Sequence, residues 1–239
     1  MTSNDRTARL AGLLYLSLLP ICGIALGGGQ LTDPAAVLAT PAVVEASRGF
    51  LEFRVVSGGA GFVVWIVLGV VLHRLFRPVG KLAADVLVAL VAASSILALA
   101  ALARQMDVLS LLDASRGLPA LTGDQLQAQL TLALHGFRNM MLMSVLFWGL
   151  WLLPLGWLVF RSGFMPRVLG VLLMLGAPFY VLVFVGTALD AGYTQTPLAT
   201  VVALVFGLPG VIGEIGTALW LLFRGTVCTA TGTTIAETS

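Results

Sequence analysis

The sequence predicts an all-α integral membrane protein: a six-helix bundle of three consecutive helical hairpins, with N- and C-termini cytoplasmic. Three observations lead there. Hydrophobic residues make up 59% of the 239-residue chain and charged residues only 10%, against about 25% charged in a water-soluble globule. Residues 140–160 form a run of twenty-one without a charge, and about twenty apolar residues at a rise of ~1.5 Å cross a ~30 Å hydrocarbon core. The basic residues also divide unevenly between alternate connections. Arg6, Arg9, Arg74, Arg77, Lys81, Arg161, Arg167 and Arg224 fall on one side, and Arg48, Arg104 and Arg116 on the other; an excess of Lys and Arg marks the cytoplasmic side.

Hydropathy places the six spans at 9–26, 54–74, 82–103, 140–160, 168–189 and 198–223, within a single domain over 1–225. The first reads as an uncleaved span rather than a signal peptide, because apolar residues continue to Leu26 with no small-x-small cleavage site. In this topology Cys22 and Cys228 lie on opposite sides, which excludes a disulfide between them. The second, fourth and sixth spans end in Leu75-Phe76-Arg77, Val159-Phe160-Arg161 and Leu222-Phe223-Arg224. This regularity fits either repeated duplication of a hairpin or the aromatic and basic anchors common at a cytoplasmic interface, the reading favoured here. Pro20, Pro154 and Pro209 are expected to break three spans.

Among the outer connections, Thr32-Asp33-Pro34 reads as the start of a short interfacial helix interrupted at Pro41. Thr122 followed by Gln125 matches a capping box, so the fourth helix begins outside the bilayer, with Leu126, Leu130 and Leu134 on one apolar face. The Thr-rich tail 226–239 has no periodicity and is expected to be a disordered cytoplasmic segment.

Several stretches together carry a family likeness: RTARLAGLLYL at the start, FRPVGK after the second span, Leu134-His135, LGWLVFRSGFMPRVLGVLL, and GEIGTALWLLFRG. The chain resembles the bacterial membrane proteins grouped as domain of unknown function 4386, over nearly its whole length. The turn from Arg161 to Gly170 and the segment from Gly213 to Gly225 are its most specific parts. The resemblance implies a multi-pass protein of the bacterial cytoplasmic (inner) membrane and no particular reaction. Members of that pattern often carry an arginine and an acidic residue inside the third span, where this chain has only Ser94 and Ser95.

Several chemistries can be set aside. The two histidines, His73 and His135, fall on opposite sides of the predicted membrane, so no metal site is expected. There is no phosphate-binding Gly-rich loop with a following Lys and Ser or Thr, and no GxSxG elbow, so no catalytic residue or cofactor is assigned. A net charge of +2 with scattered basic residues excludes a nucleic-acid footprint. The partners that remain are membrane lipid and a small-molecule or lipid ligand, and the sequence sets no oligomeric state.

Two groups of polar residues stand out. Glu52, Arg54, Arg104, Asp107, His135, Arg138, Asn139 and Asp190 fall toward the outer side. Arg54 precedes Arg77, and Arg138 precedes Arg161, by twenty-three positions, roughly 34 Å of helix, which sets both at one level. They either snorkel and pair with neighbours, as Arg48 with Glu52, or form an outward-facing polar vestibule between the second, third and fourth spans that binds an anionic or lipid headgroup. Glu214 differs, being ten residues from Arg224, about 15 Å and so near the midplane. Gly207, Gly210, Glu214 and Thr217 make a stripe expected to face the bundle. It is either a packing carboxyl or a functional one. Three classes follow: small-molecule or lipid binding and transport, which the polar vestibule and midplane carboxyl favour; a non-catalytic accessory or sensor subunit; and an intramembrane lipid-modifying enzyme, which lacks a nucleophile beside an acid-base group.

Overall fold

The computed structural model describes residues 3–26, 41–117 and 122–225. They form α1 (Ser3–Leu26), α2 (Pro41–Ala46), α3 (Arg48–Phe76), α4 (Lys81–Gly117), α5 (Gly123–Leu150), α6 (Leu152–Arg161), α7 (Arg167–Leu189), a 3₁₀ turn (Tyr193–Gln195), α8 (Pro197–Val202), a π-helical turn (Ala203–Gly207) and α9 (Leu208–Phe223), with no strand among the described residues. Among the described residues, five stretches are long and apolar enough to cross a membrane: Arg48–Phe76, Lys81–Asp113, Gly123–Arg161, Arg167–Leu189 and Pro197–Phe223. Their outer faces carry exposed aliphatic side chains, such as Val63, Val67 and Val70 on α3 and Leu208, Ile212 and Leu219 on α9. Apolar surface on that scale belongs against lipid.

Prolines explain where the helices differ from the hydropathy reading. The run 140–160 is two helices meeting at Trp151: Pro154 has no N–H for the Leu150 carbonyl and its ring crowds that carbonyl. Pro209 likewise follows the π turn, in which the Leu208 N–H donates to the Ala203 carbonyl five residues back. By contrast α1 runs unbroken through Pro20 to Leu26, and Pro178 lies inside α7. Pro41 is the first residue of α2, in keeping with the fixed φ that suits a first helical position. Thr32, Asp33 and Pro34, the tail 226–239 with Cys228, and the side chain of Cys22 lie outside the described residues.

The long helices pack in chain order and close on themselves. α1 lies against α3, α3 against α4, α4 against α5 and α6, α5 and α6 against α7, and α7 against α9, which returns to α1. The ends of α3, α6 and α9 that carry the Phe-Arg sequences come together at one end of this ring. There Phe76 stacks on Phe164 at 5.8 Å between centroids, and the Trp220 indole donates to the Phe164 carbonyl at 3.0 Å. These contacts tie the α3–α4 turn, the α6–α7 turn and the end of α9 together. Arg161, Arg167 and Arg224 lie over the rings of Trp157, Phe160 and Trp220 at 5.6, 5.7 and 5.7 Å, the aromatic and basic belt expected at a membrane interface.

At the far end the capping box forms as the sequence predicts. The Gln125 N–H donates to Thr122 Oγ1 at 3.4 Å and the Thr122 N–H to Gln125 Oε1 at 3.0 Å. Leu126, Leu130 and Leu134 are buried with Val44, Leu51, Val108 and Leu112 in a small core of their own. The hydropathy reading ended the third span at 103, whereas α4 continues to Gly117, because its extension has α5 to bury it.

Candidate functional site

Antiparallel packing of α7 on α9 builds the site. At their closest approach a Cβ on Gly176 would lie 2.5 Å from the Gly210 Cα, so only glycine on both helices lets the backbones touch. Tyr180 stands one turn after Gly176, and Glu214 one turn after Gly210. Side chains lean toward the N-terminus of their own helix. On antiparallel helices the two therefore lean toward each other, and the Tyr180 hydroxyl donates to Glu214 Oε1 at 3.4 Å. From α1, Tyr15 donates to Glu214 Oε2 at 3.0 Å. Its helix sits equally close to α9, since a Cβ on Gly12 would meet the Leu222 nitrogen at 2.5 Å.

Glu214 faces a cavity of about 280 Å³. Its walls are mainly aromatic: Tyr15, Phe62, Trp65, Trp148, Trp151 and Tyr180, with a few aliphatic residues and no Lys, Arg or His. Trp151 is the hub, 4.5 Å from Trp65 edge to face and 5.7 Å from Tyr15 between centroids. The bend at Pro154 sets it there. Ser94, buried on α4, accepts the Trp65 indole N–H at 3.2 Å and donates to the Val91 carbonyl at 2.8 Å. The third span's serine thus positions an aromatic wall.

The stripe Gly207, Gly210, Glu214 and Thr217 faces inward as predicted, none of it exposed. Thr217 is fully buried, but its hydroxyl has no partner among the described residues. Glu214 is instead held by two tyrosines from other helices.

The outer polar residues do not line this cavity. Arg54 is 1% exposed, with its guanidinium 5.0 Å from the Phe137 ring and 5.6 Å from the Phe50 ring. Arg48 pairs with Glu52 and with Asp113 on α4, each at 2.8 Å, and Arg104 pairs with Asp107 at 3.2 Å. His135 and Arg138 are half-buried and Asn139 is exposed. A Cβ on Gly136 would meet Arg104 at 3.5 Å, so Arg104 crosses to α5 next to His135. Asp190 accepts from the Gly192 N–H at 2.9 Å and shapes the turn after α7. Between this layer and the cavity lie Phe62, Phe137 and Met141, packed with Ala98 and Leu102, and Phe62 stacks on Trp148 at 6.4 Å.

The aromatic walls are what the sequence reading missed. A signal was present: tryptophan concentrates at membrane interfaces, yet Trp65 and Trp151 lie nine and ten residues from Arg74 and Arg161, about 14 and 15 Å into their spans. At the basic end, His73 Nε2 lies 2.8 Å from Asp85 Oδ1 and links α3 to α4. No group of three or more His, Cys, Asp or Glu that could hold a metal is found among the described residues.

No curated protein and no solved structure matches the chain. The profile of the family described as domain of unknown function (DUF4386) matches residues 10–225, and the chain belongs to that family.

Proposed function

We propose that this is a six-span protein of the bacterial cytoplasmic membrane with both termini in the cytoplasm, and that it binds or transports a small molecule or lipid at the Glu214 cavity. The topology draws on the basic end, where Arg161, Arg167 and Arg224 stack on aromatic rings. With α1 as the sixth span, a fluorescent protein fused to the C-terminus should be bright. A dark fusion alongside an active periplasmic reporter at the same site would overturn the topology.

The binding reading is carried by one observation: a carboxyl deep in the bundle is held by hydroxyls from two other helices at the edge of a cavity. A carboxyl serving only to pack helices has no need of an adjoining space, whereas intramembrane ionisable groups with one mark ligand or ion paths. The outer layer around Arg54, Arg104, Asp107, His135, Arg138, Asn139 and Glu52 would be an entry vestibule, with the Phe62, Phe137 and Met141 layer as the barrier beneath it. That apolar cluster also supports a second reading, a non-catalytic accessory or sensor subunit, in which the outer residues and Glu214 serve only packing. No side-chain set favours an intramembrane enzyme: no serine is among the described lining residues, and Ser94, behind the Trp65 wall, is committed to Trp65 and Val91.

A thermal-shift ligand screen on the purified protein tests for binding. For any ligand found, Glu214→Gln keeps the shape while removing titration, its amide oxygen still accepting from one tyrosine and its NH2 donating to the oxygen of the other. The melting temperature should hold and any pH dependence of binding or uptake should vanish. Tyr15 from α1 and Tyr180 from α7 are the titratable side chains that face Glu214 among the described residues. PH dependence that survives in the Gln variant would reduce Glu214 to a packing residue.

A further inference from the structure

We infer that the occupant of the Glu214 cavity is a small organic cation of the tertiary or quaternary ammonium class, held against aromatic rings with Glu214 as its counter-charge. The inference rests on the cavity being a ligand site, as proposed above. Its argument is the sign and texture of the walls.

Six of the lining residues are aromatic, drawn from α1, α3, α5, α7 and the bend at Trp151, and the one ionisable acid among them is Glu214. Aromatic rings present negative faces, and cations are attracted to them most strongly where water is excluded. A carboxylate adds charge of the same sign. With no Lys, Arg or His among the described lining residues, an anion would find no positive charge there and would face a carboxyl of its own sign.

Hydrogen-bond capacity narrows the class. The two tyrosine hydroxyls donate to Glu214 and the Trp65 N–H donates to Ser94 on α4, so these three donors are already committed, and the other N–H groups among the lining side chains are the indoles of Trp148 and Trp151. A primary ammonium carries three N–H donors that each require an acceptor, which a mostly apolar cavity does not supply. An alkylated nitrogen has one such donor or none. Size is compatible: an apolar cavity of about 150 Å³ holds benzene, and this one offers about 280 Å³, room for a ring with a trimethylammonium head.

The decisive comparison keeps shape and changes only charge. Benzyltrimethylammonium and neopentylbenzene differ by a quaternary nitrogen in place of a quaternary carbon. Binding of each to the full-length protein in lipid nanodiscs is measured by calorimetry, with affinity referred to free aqueous concentration. The cation is expected to bind at least tenfold more tightly than the hydrocarbon, and Glu214→Gln to lose most of that preference while still binding the hydrocarbon. Equal affinity for the two probes in the wild-type protein would overturn the cation assignment and leave the cavity as a ligand site. Binding of neither probe would count against both readings. The wild-type comparison needs no variant, so poor folding of Glu214→Gln would not blunt it.

Discussion

Gly176→Ala is expected to cost about 3 kcal/mol or more of bundle stability, although it adds a single methyl group. Overpacking a core costs roughly 1–3 kcal/mol when side chains can adjust. Here the new Cβ would lie 2.5 Å from the Gly210 Cα, so α7 and α9 must separate as rigid rods. The same displacement draws Tyr180 away from Glu214 and opens the site. Gly59→Ala provides the control, since nothing lies within 4 Å of a Cβ there. It should be neutral or stabilising by roughly 0.5–1 kcal/mol, as Ala is the better helix former. Melting of both variants in detergent checks the claim, and equal melting temperatures would mean that the α7–α9 contact is not tight.

Glu214→Leu is the second large effect. It leaves the hydroxyl of Tyr15, a residue only 3% exposed, and that of Tyr180 without their acceptor. A buried donor left unsatisfied costs about 1–3 kcal/mol, so the expected loss is roughly 2–5 kcal/mol. Removing every partner should undo much of the harm. The triple variant Tyr15→Phe, Tyr180→Phe, Glu214→Leu retains the shape with no orphaned group, and should recover at least half of the lost stability. A triple variant that melts below the single one would show that the carboxyl's cost or benefit lies outside this hydrogen-bonded group. Glu214→Gln, which can still accept a phenolic proton, should behave like the wild type in the same assay.

Glu214 could be singled out from sequence because its depth follows from a count of residues to Arg224 along one helix. The capping box at Thr122 and Gln125 was legible for the same reason, since all its atoms lie within one turn. Its hydrogen-bonding tyrosines were not, being 199 and 34 positions away in the chain. Hydropathy says which helices enter a membrane but is silent on which neighbours they choose. The break at Trp151 was legible in Pro154, since the donor a proline lacks is fixed by its own position in the helix, whereas the same reading of Pro20 fails because α1 continues through it. The outer residues show the opposite case. Arg54 and Arg138 could be set at one level by spacing, yet spacing does not say that Arg54 is buried against Phe137 while Asn139, next along α5 from Arg138, is exposed.

The reach of α4 has a practical consequence. At 37 residues it is about 55 Å long, some 25 Å more than a hydrocarbon core needs. Packed on α5 through its own leucine core, that excess length makes a stiff handle long enough to reach beyond a bilayer. For a 25.0 kDa chain otherwise swallowed by a detergent micelle, that handle is what an antibody fragment can grip. Alignment of particle images could then rest on a rigid external feature, leaving the cavity free for ligands during imaging.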